Sequence, residues 1–325
     1  MTDQPRGLHW IFQGPNGLRA GWSLVLYLSI LVVLYLAASF LFSAWLGPEP
    51  SGALPPLRGL TGESALFLIV LFATLVMSRI ERRPLLAAGF RGRARAIRLI
   101  SGLLWGFAAI SALVFALSKL GYLALRHSSL SGSAAFKDAA LWAAMFLLTG
   151  FAEEAAFRGY PQFTLTRGLG FWWGALLIAA LFGFTHGYNP GESPIGLVSV
   201  VAISLLFCLS LWYTGSLWWA VGFHASWDWG QSYFYGTADS GMVVQGHLLS
   251  AHPVGPLLWS GGSTGPEGSL LIIPLLLILA AVMFLWWGRR CLSPFAGAAW
   301  RPLPPPPGLA PNPLRPSLGK FTLSE

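Results

Sequence analysis

Long apolar segments recur along almost the whole chain, and this limits what it can fold into. A helix that crosses a lipid bilayer needs about 20 consecutive, mainly apolar residues. The hydrophobic fraction of 55% and the 16 tryptophans also exceed what soluble domains carry. The sequence therefore predicts an all-α, polytopic membrane protein with about eight transmembrane helices. Because one segment is short and two nearly touch, seven or nine also fit. The candidate segments are 21–46, 62–79, 98–125, 138–165, 171–186, 194–213, 215–235 and 269–288.

No soluble domain interrupts these segments. We expect a cytoplasmic N-terminal segment at 1–20, a membrane domain at 21–290 and a proline-rich cytoplasmic tail at 291–325. The tail has too many prolines for a helix and too few apolar side chains to pack, which predicts disorder. We interpret His247 and His252 as ordinary loop residues. The longest polar insertions are 47–61, 126–136 and 236–268.

The net charge of +8 comes mainly from clustered arginines. They crowd the segment 79–98, and Arg289 and Arg290 follow the last apolar segment. Positively charged loops stay in the cytoplasm, beside anionic lipid head groups. We therefore expect both termini to be cytoplasmic and the protein to lie in the cell inner membrane. Aromatic residues do not alternate with the arginines, so we expect no nucleic-acid partner. Cys208 and Cys291, the only cysteines, give no disulfide framework.

Three polar clusters interrupt the apolar segments. Charged groups at membrane depth are costly and usually face a water-filled cavity or one another, so each is a candidate for function. The first cluster lies in GFAEEAAFRGY, the second in LFGFTHG and the third in GFHASWD. Their polar and aromatic members are Glu153, Glu154 and Arg158, then Phe182 and His186, then His224 and Asp228.

Helical spacing separates the two adjacent glutamates. Glu154 and Arg158 are four residues apart and share a helix face, which favours an ion pair. Glu153 is rotated by about 100° from Glu154, so it does not face that arginine. We therefore predict that Glu154 and Arg158 form a supporting ion pair, and that Glu153 faces a cavity as an acid, a base or a ligand.

The other two clusters also pair residues at four-residue spacing. Phe182 shares a face with His186, so its ring can wall a pocket beside the imidazole. Asp228 shares a face with His224 and can orient the imidazole or help hold a water or a metal. If the fourth helix continues past Pro161 with a kink, the three clusters converge near the middle of the membrane.

The three motifs together resemble a known family. EEAAFR, FGFTH and HASWD are similar to the EExxxR, FxxxH and HxxxN/D signatures of the CAAX-protease and bacteriocin-processing (CPBP, Abi) intramembrane proteases. The similar core covers about 139–232. The resemblance implies peptide-bond hydrolysis within the bilayer, in a cavity open to the cytoplasm. It implies that Glu153 activates water with His186, and that His224 and Asp228 stabilise the oxyanion.

Two features leave the mechanism open. An ionised Asp228 cannot donate a hydrogen bond to an oxyanion, whereas an asparagine can. Glu153, His186 and His224 would make a plausible zinc site with an open water position, although the HExxH helix of many metalloproteases is absent. Water activated by Glu153 alone would serve the same reaction without a divalent metal.

The expected partners are a membrane-associated peptide or protein substrate and the lipid bilayer. The sequence does not identify the substrate or the oligomeric state. Two other classes of protein would also keep buried Glu and His side chains: a non-catalytic membrane scaffold or immunity protein, and a proton-coupled transporter. A scaffold should tolerate Glu153→Gln. A proton carrier should tolerate neither loss of Glu153 nor a collapsed transmembrane pH gradient, whereas a protease in detergent micelles needs no gradient.

Overall fold

The computed structural model describes residues 9–14, 17–47, 52–92, 94–128, 130–290 and 293–296. The predicted disorder of the proline-rich tail concerns residues that lie outside these ranges, except for 293–296. Those four residues follow the last helix, and Ser293 donates a hydrogen bond from Oγ to the carbonyl oxygen of Trp212 at 2.6 Å.

Within the described ranges the chain folds mainly into helices. The α-helices are α1 His9–Phe12, α2 Ala20–Leu46, α3 Pro56–Ile80, α4 Arg95–Lys119, α5 Gly132–Glu154, α6 Tyr160–Leu169, α7 Phe171–His186, α8 Pro194–Thr214, α9 Trp218–Trp229, α10 Leu257–Ser260 and α11 Ile272–Met283. π-Helical turns at Ala155–Gly159, Gly230–Phe234 and Phe284–Gly288 follow α5, α9 and α11, and 3₁₀ turns occur at Leu85–Ala87 and Pro266–Gly268. Two antiparallel pairs complete the fold: β1 Gln13–Gly14 with β2 Gly17–Leu18, and β3 Leu123–His127 with β4 Leu249–Pro253.

The prediction of an all-α, polytopic membrane protein is confirmed, and each of the eight predicted segments overlaps a helix. Among the described residues, five helical segments are long and apolar enough to cross a membrane: Ala20–Trp45, Pro56–Ile80, Arg95–Lys119, Gly132–Leu169 and Pro194–Thr214. Two shorter apolar helices are Phe171–His186 and Ile272–Gly288. Large apolar side chains cover the outer helices, including Phe40 on α2 and Phe115 on α4, which are 73% and 63% exposed. Such a surface suits contact with lipid.

The third predicted segment, 98–125, extends too far. Helix α4 ends at Lys119, and Gly121 follows with a positive φ of 79° that favours glycine and stops a helix. The chain then enters β3, which pairs with β4. The interpretation of His252 as a loop residue is therefore wrong, because β4 lies within the polar insertion 236–268 and carries this histidine.

The fourth predicted segment, 138–165, stays helical and is kinked just before Pro161, within the helical segment Gly132–Leu169. Helix α5 ends at Glu154, a π-helical turn follows, and Gly159 leaves the helical region with ψ of −118°. Pro161 then occupies the first turn of α6. Proline lacks an N–H group and its ring clashes with the preceding helical turn, so the kink falls just before it.

Close helix packing positions α9, which carries the third polar cluster. A Cβ atom added at Gly102 or at Gly106 of α4 would lie 2.2 Å from a backbone oxygen of α9. One added at Gly222 of α9 would lie 2.3 Å from the Leu99 oxygen of α4. A Cβ at Gly150 of α5 would also meet the α9 backbone, at 2.9 Å. Small residues let helix backbones approach closely, so α9 lies tightly between α4 and α5.

Candidate active site

A cavity of about 180 Å³ brings the three polar clusters together. Its walls come from helices α3, α5, α7, α8 and α9, and from the segments that connect them. Glu153 reaches it from α5, His186 from the end of α7, and His224 from the middle of α9. The cavity is also lined by Asp228 and Phe182, so it contains every residue predicted to be catalytic and the predicted wall residue.

His224 lies at the centre of the charged groups. Its Nδ1 atom is 3.1 Å from Oε1 of Glu154, which is hydrogen-bond distance. Its Nε2 atom is 3.4 Å from Oδ2 of Asp228 and 3.6 Å from Oε2 of Glu153. One imidazole therefore links the carboxylates of α5 and α9, and it fixes how the two helices present them to the cavity.

Glu154 and Arg158 lie four residues apart, with Nη1 of the arginine 2.8 Å from Oε1 of the glutamate. Both side chains are completely buried, at 0% exposure, so water does not screen this pair. The same carboxylate oxygen also contacts His224. Glu154 therefore does more than pair with Arg158: it ties the arginine to the imidazole.

Aromatic rings enclose the rest of the Arg158 guanidinium. Its Cζ atom lies 4.1 Å from the ring centre of Phe182 and 5.5 Å from that of Phe207. Among the described residues, its Nε and Nη2 atoms have no hydrogen-bond acceptor. Guanidinium groups are attracted to aromatic faces, which compensates in part for those missing hydrogen bonds. Phe182 therefore supports the ion pair as well as walling the cavity.

His186 occupies the C-terminal end of α7. Its Nδ1 atom lies 2.8 Å from the Phe182 carbonyl oxygen, which can only accept a hydrogen bond, so Nδ1 carries the proton. In the neutral ring Nε2 is then the atom that can accept a proton. The ring centre of His186 is 4.4 Å from that of Phe182, and both side chains line the cavity with Glu153.

Several cavity residues were not predicted. Glu63 lies in the first turns of α3 and lines the cavity, and the rule that marks buried carboxylates as candidates would have found it. Asp239 and Glu267 belong to the predicted polar insertion 236–268, where an acidic residue is ordinary. Only the folding of that insertion over the helices brings them to the cavity, so no local sequence signal identifies them.

A network of hydrogen bonds holds this insertion over the cavity. Glu267 accepts hydrogen bonds from the backbone N–H of Ser240, from its Oγ at 2.9 Å and from Nε2 of Gln231 at 3.3 Å. Ser232 donates to Asp239 at 3.1 Å. Burial raises the pKa of Glu267 to about 7 and that of Asp239 to about 6. The folded state binds these protons more tightly than the unfolded chain, so this contribution to stability is lost as pH rises toward 7.

The possible zinc ligands Glu153, His186 and His224 do not form a metal centre in this geometry. Among the described residues, no group of three His, Cys, Asp or Glu side chains is placed to hold a metal ion. The imidazole of His224 instead directs both ring nitrogens at carboxylates, Glu154 on one side and Asp228 with Glu153 on the other.

The family resemblance can be compared with a match over the segment that carries the three motifs. Residues 135–230 match the family model of type II CAAX prenyl endopeptidases, Rce1-like. The resemblance read from the motifs is confirmed over this part of the chain, which includes the cavity residues of α5, α7 and α9. The match indicates an intramembrane endopeptidase and therefore a membrane-associated substrate. No curated protein matches the chain.

Proposed function

We propose that the protein is an intramembrane endopeptidase that hydrolyses a peptide bond with a water molecule activated by Glu153. The observation that carries this proposal is the meeting of Glu153, His186, His224 and Asp228 around one cavity, within the segment that matches the Rce1-like family. The Glu153 side chain is 21% exposed, whereas that of Glu154 is completely buried. Of these two glutamates, Glu153 therefore has the access to water that a general base needs.

In the proposed reaction, one proton moves from the attacking water to the leaving nitrogen. Glu153 removes a proton from water, and the water oxygen attacks the carbonyl carbon of the peptide. The C–N bond then breaks, and the leaving nitrogen receives that proton from Glu153, either directly or passed through Nε2 of His186. The products are a new carboxyl terminus and a new amino terminus, and both side chains return to their starting state.

His224 is the best candidate for stabilising the oxyanion. Its two ring nitrogens both lie close to carboxylate oxygens, and an imidazole that donates from both nitrogens carries a positive charge. In our proposal Asp228 therefore acts through His224 rather than by contacting the oxyanion itself. This arrangement removes the difficulty that an ionised aspartate cannot donate a hydrogen bond, and it makes Asp228 a positioning residue.

The function is tested by comparing the peptides of membranes that contain the wild-type protein with those of membranes that contain Glu153→Gln. A protease is expected to yield shortened membrane peptides with new termini only in the wild-type sample. Identical peptide sets from two equally expressed proteins would contradict proteolysis. Such a result would favour the scaffold, or a transporter if the same substitution abolished proton-coupled uptake.

The need for a metal is tested on purified protein in detergent. Because the site residues do not form a ligand set, we expect cleavage to continue after treatment with a strong chelator and removal of bound metal. Metal content and cleavage rate would be measured on the same samples. Loss of cleavage that returns on adding zinc, with about one zinc bound per chain, would instead establish Glu153, His186 and His224 as ligands.

We also infer that both termini and the arginine-rich segment 79–98 lie in the cytoplasm, with the protein in the cell inner membrane. This topology requires that connecting segments assigned to the cytoplasm lie at the same end of the helix bundle. Two contacts between such segments support it. The backbone N–H of Leu217 donates to the oxygen of Gly89 at 2.9 Å, and Arg167 lies 3.3 Å from Glu81. All four residues fall on the side assigned to the cytoplasm.

A further inference from the structure

The end of the bundle that the cavity meets is defined by three connecting segments. Besides helical residues, the lining includes Leu54 from the segment before α3, Asn189 from the segment after α7, and residues of the long segment between α9 and α11. The last group consists of Asp239, Ser240, Met242, Val244 and Glu267. No residue of the segments at the other end of the bundle lines this cavity, within the part of the chain that the structure describes.

These connecting segments form one continuous layer. The backbone of Leu54 exchanges hydrogen bonds with Val243 and Gln245 at 2.7 and 2.9 Å. The side chain of Asn189 donates to the oxygen of Ser240 at 3.0 Å. Strands β3 and β4 join the segment after α4 to the same layer. Four connections along the chain therefore meet at one end of the bundle, and the cavity lies directly beneath them.

Basic residues are concentrated at the opposite end. Among the described residues, ten lie at or beyond the helix ends on that side: Arg19, Arg79, Arg82, Arg83, Arg91, Arg95, Arg98, Arg167, Arg289 and Arg290. Four lie at the end that carries the connecting layer: Arg58, Lys119, Arg126 and Lys137. An excess of arginine and lysine marks the cytoplasmic side of a membrane protein. The connecting layer therefore faces away from the cytoplasm.

We propose that the cavity receives its substrate from the extracytoplasmic face, and that the substrate is a polypeptide segment exposed on that side or at the outer end of a membrane helix. This inference rests on the proposed protease function. It departs from the cytoplasmic opening that the family resemblance implies, because the connecting segments and the arginines lie at opposite ends of this chain.

The rim of the cavity suits such a segment. Met242, which lines the cavity, and the adjacent Val243 expose 39% and 44% of their surface. Exposed apolar side chains next to a polar cavity favour a ligand that is itself partly apolar, such as the end of a membrane helix. Above about pH 7, where Asp239 and Glu267 are largely ionised, their carboxylates disfavour a strongly acidic segment through repulsion between like charges.

Sidedness is tested by labelling single cysteines with a membrane-impermeant maleimide. The background carries Cys291→Ser and keeps Cys208, which is completely buried. Val243→Cys, at an exposed position of the connecting layer, reports that end of the bundle, and Arg91→Cys, also at an exposed position, reports the arginine-rich end. In right-side-out vesicles we expect Val243→Cys to be labelled and Arg91→Cys to remain unlabelled. In inverted vesicles we expect the reverse, and the background protein should not be labelled in either.

Labelling of Arg91→Cys but not Val243→Cys in right-side-out vesicles would overturn the proposal, and so would labelling of both from one side. This measurement does not depend on catalysis. If the expected labelling is found while Glu153→Gln and wild-type membranes yield the same peptides, the protease function fails and the sidedness stands. If the labelling pattern is reversed while wild-type and Glu153→Gln membranes yield different peptides, the extracytoplasmic entry fails and the protease function stands.

Discussion

Glu153→Gln is expected to abolish proteolysis while leaving the fold intact. The substitution keeps the size and shape of the side chain and removes its ability to accept a proton from water. Loss of general-base assistance lowers rates by about 10²–10⁴-fold. The side chain is partly exposed, and its Oε2 atom is 3.6 Å from Nε2 of His224, beyond ordinary hydrogen-bond distance. Its removal should therefore have little effect on thermal stability.

The measurement compares cleavage rate, expression level and melting temperature of Glu153→Gln with those of the wild type. Asp138→Asn provides a matched control, because it makes the same carboxyl-to-amide change near the start of the same helix and lies outside the cavity lining. The control is expected to cleave at the wild-type rate. A fully active Glu153→Gln protein would remove Glu153 from the mechanism and leave Glu63 or Asp228 as the remaining candidate bases.

The sequence predicts the helices well because the bilayer imposes their length. The segment 171–186 agrees with α7 at both ends, and 194–213 differs from α8 by one residue. The three motifs also predict which helices meet, because polar side chains at membrane depth are costly unless they face a shared cavity or one another. Their residue types then indicate the chemistry before any contact is known.

Contacts between distant segments could not be predicted in this way. The hydrogen bond from His224 to Glu154 joins residues 70 positions apart, and helical periodicity carries no information about it. The pairing of β3 with β4 depends on a register set by the folded helices. In the sequence, β3 spans the end of the apolar segment 98–125, and β4 lies within the polar insertion 236–268. Asp239 and Glu267 enter the cavity for the same reason, since tertiary packing rather than local sequence brings their loop over the helices.

The two adjacent glutamates are expected to behave differently because only one of them neutralises a buried cation. Glu154→Gln leaves the guanidinium of Arg158 without a charged partner in a fully buried position, where its Nε and Nη2 atoms already lack acceptors among the described residues. Removing one partner of a buried ion pair typically costs about 3–5 kcal/mol. The loss of stability should exceed that for a surface pair. The substitution also removes the carboxylate that contacts Nδ1 of His224. We therefore expect a large fall in folded yield and in melting temperature.

A double variant distinguishes an unpaired charge from a general loss of packing. Arg158→Met added to Glu154→Gln removes the uncompensated charge while keeping a long apolar side chain between the rings of Phe182 and Phe207. Replacement of a whole buried pair is much less costly than loss of one partner, so the double variant should be more stable than Glu154→Gln alone. Melting temperatures of the two single variants and the double variant, measured in the same detergent, provide the test. If Glu154→Gln were as stable as the wild type and inactive, while Glu153→Gln were the variant that failed to fold, the roles assigned to the two glutamates would have to be exchanged.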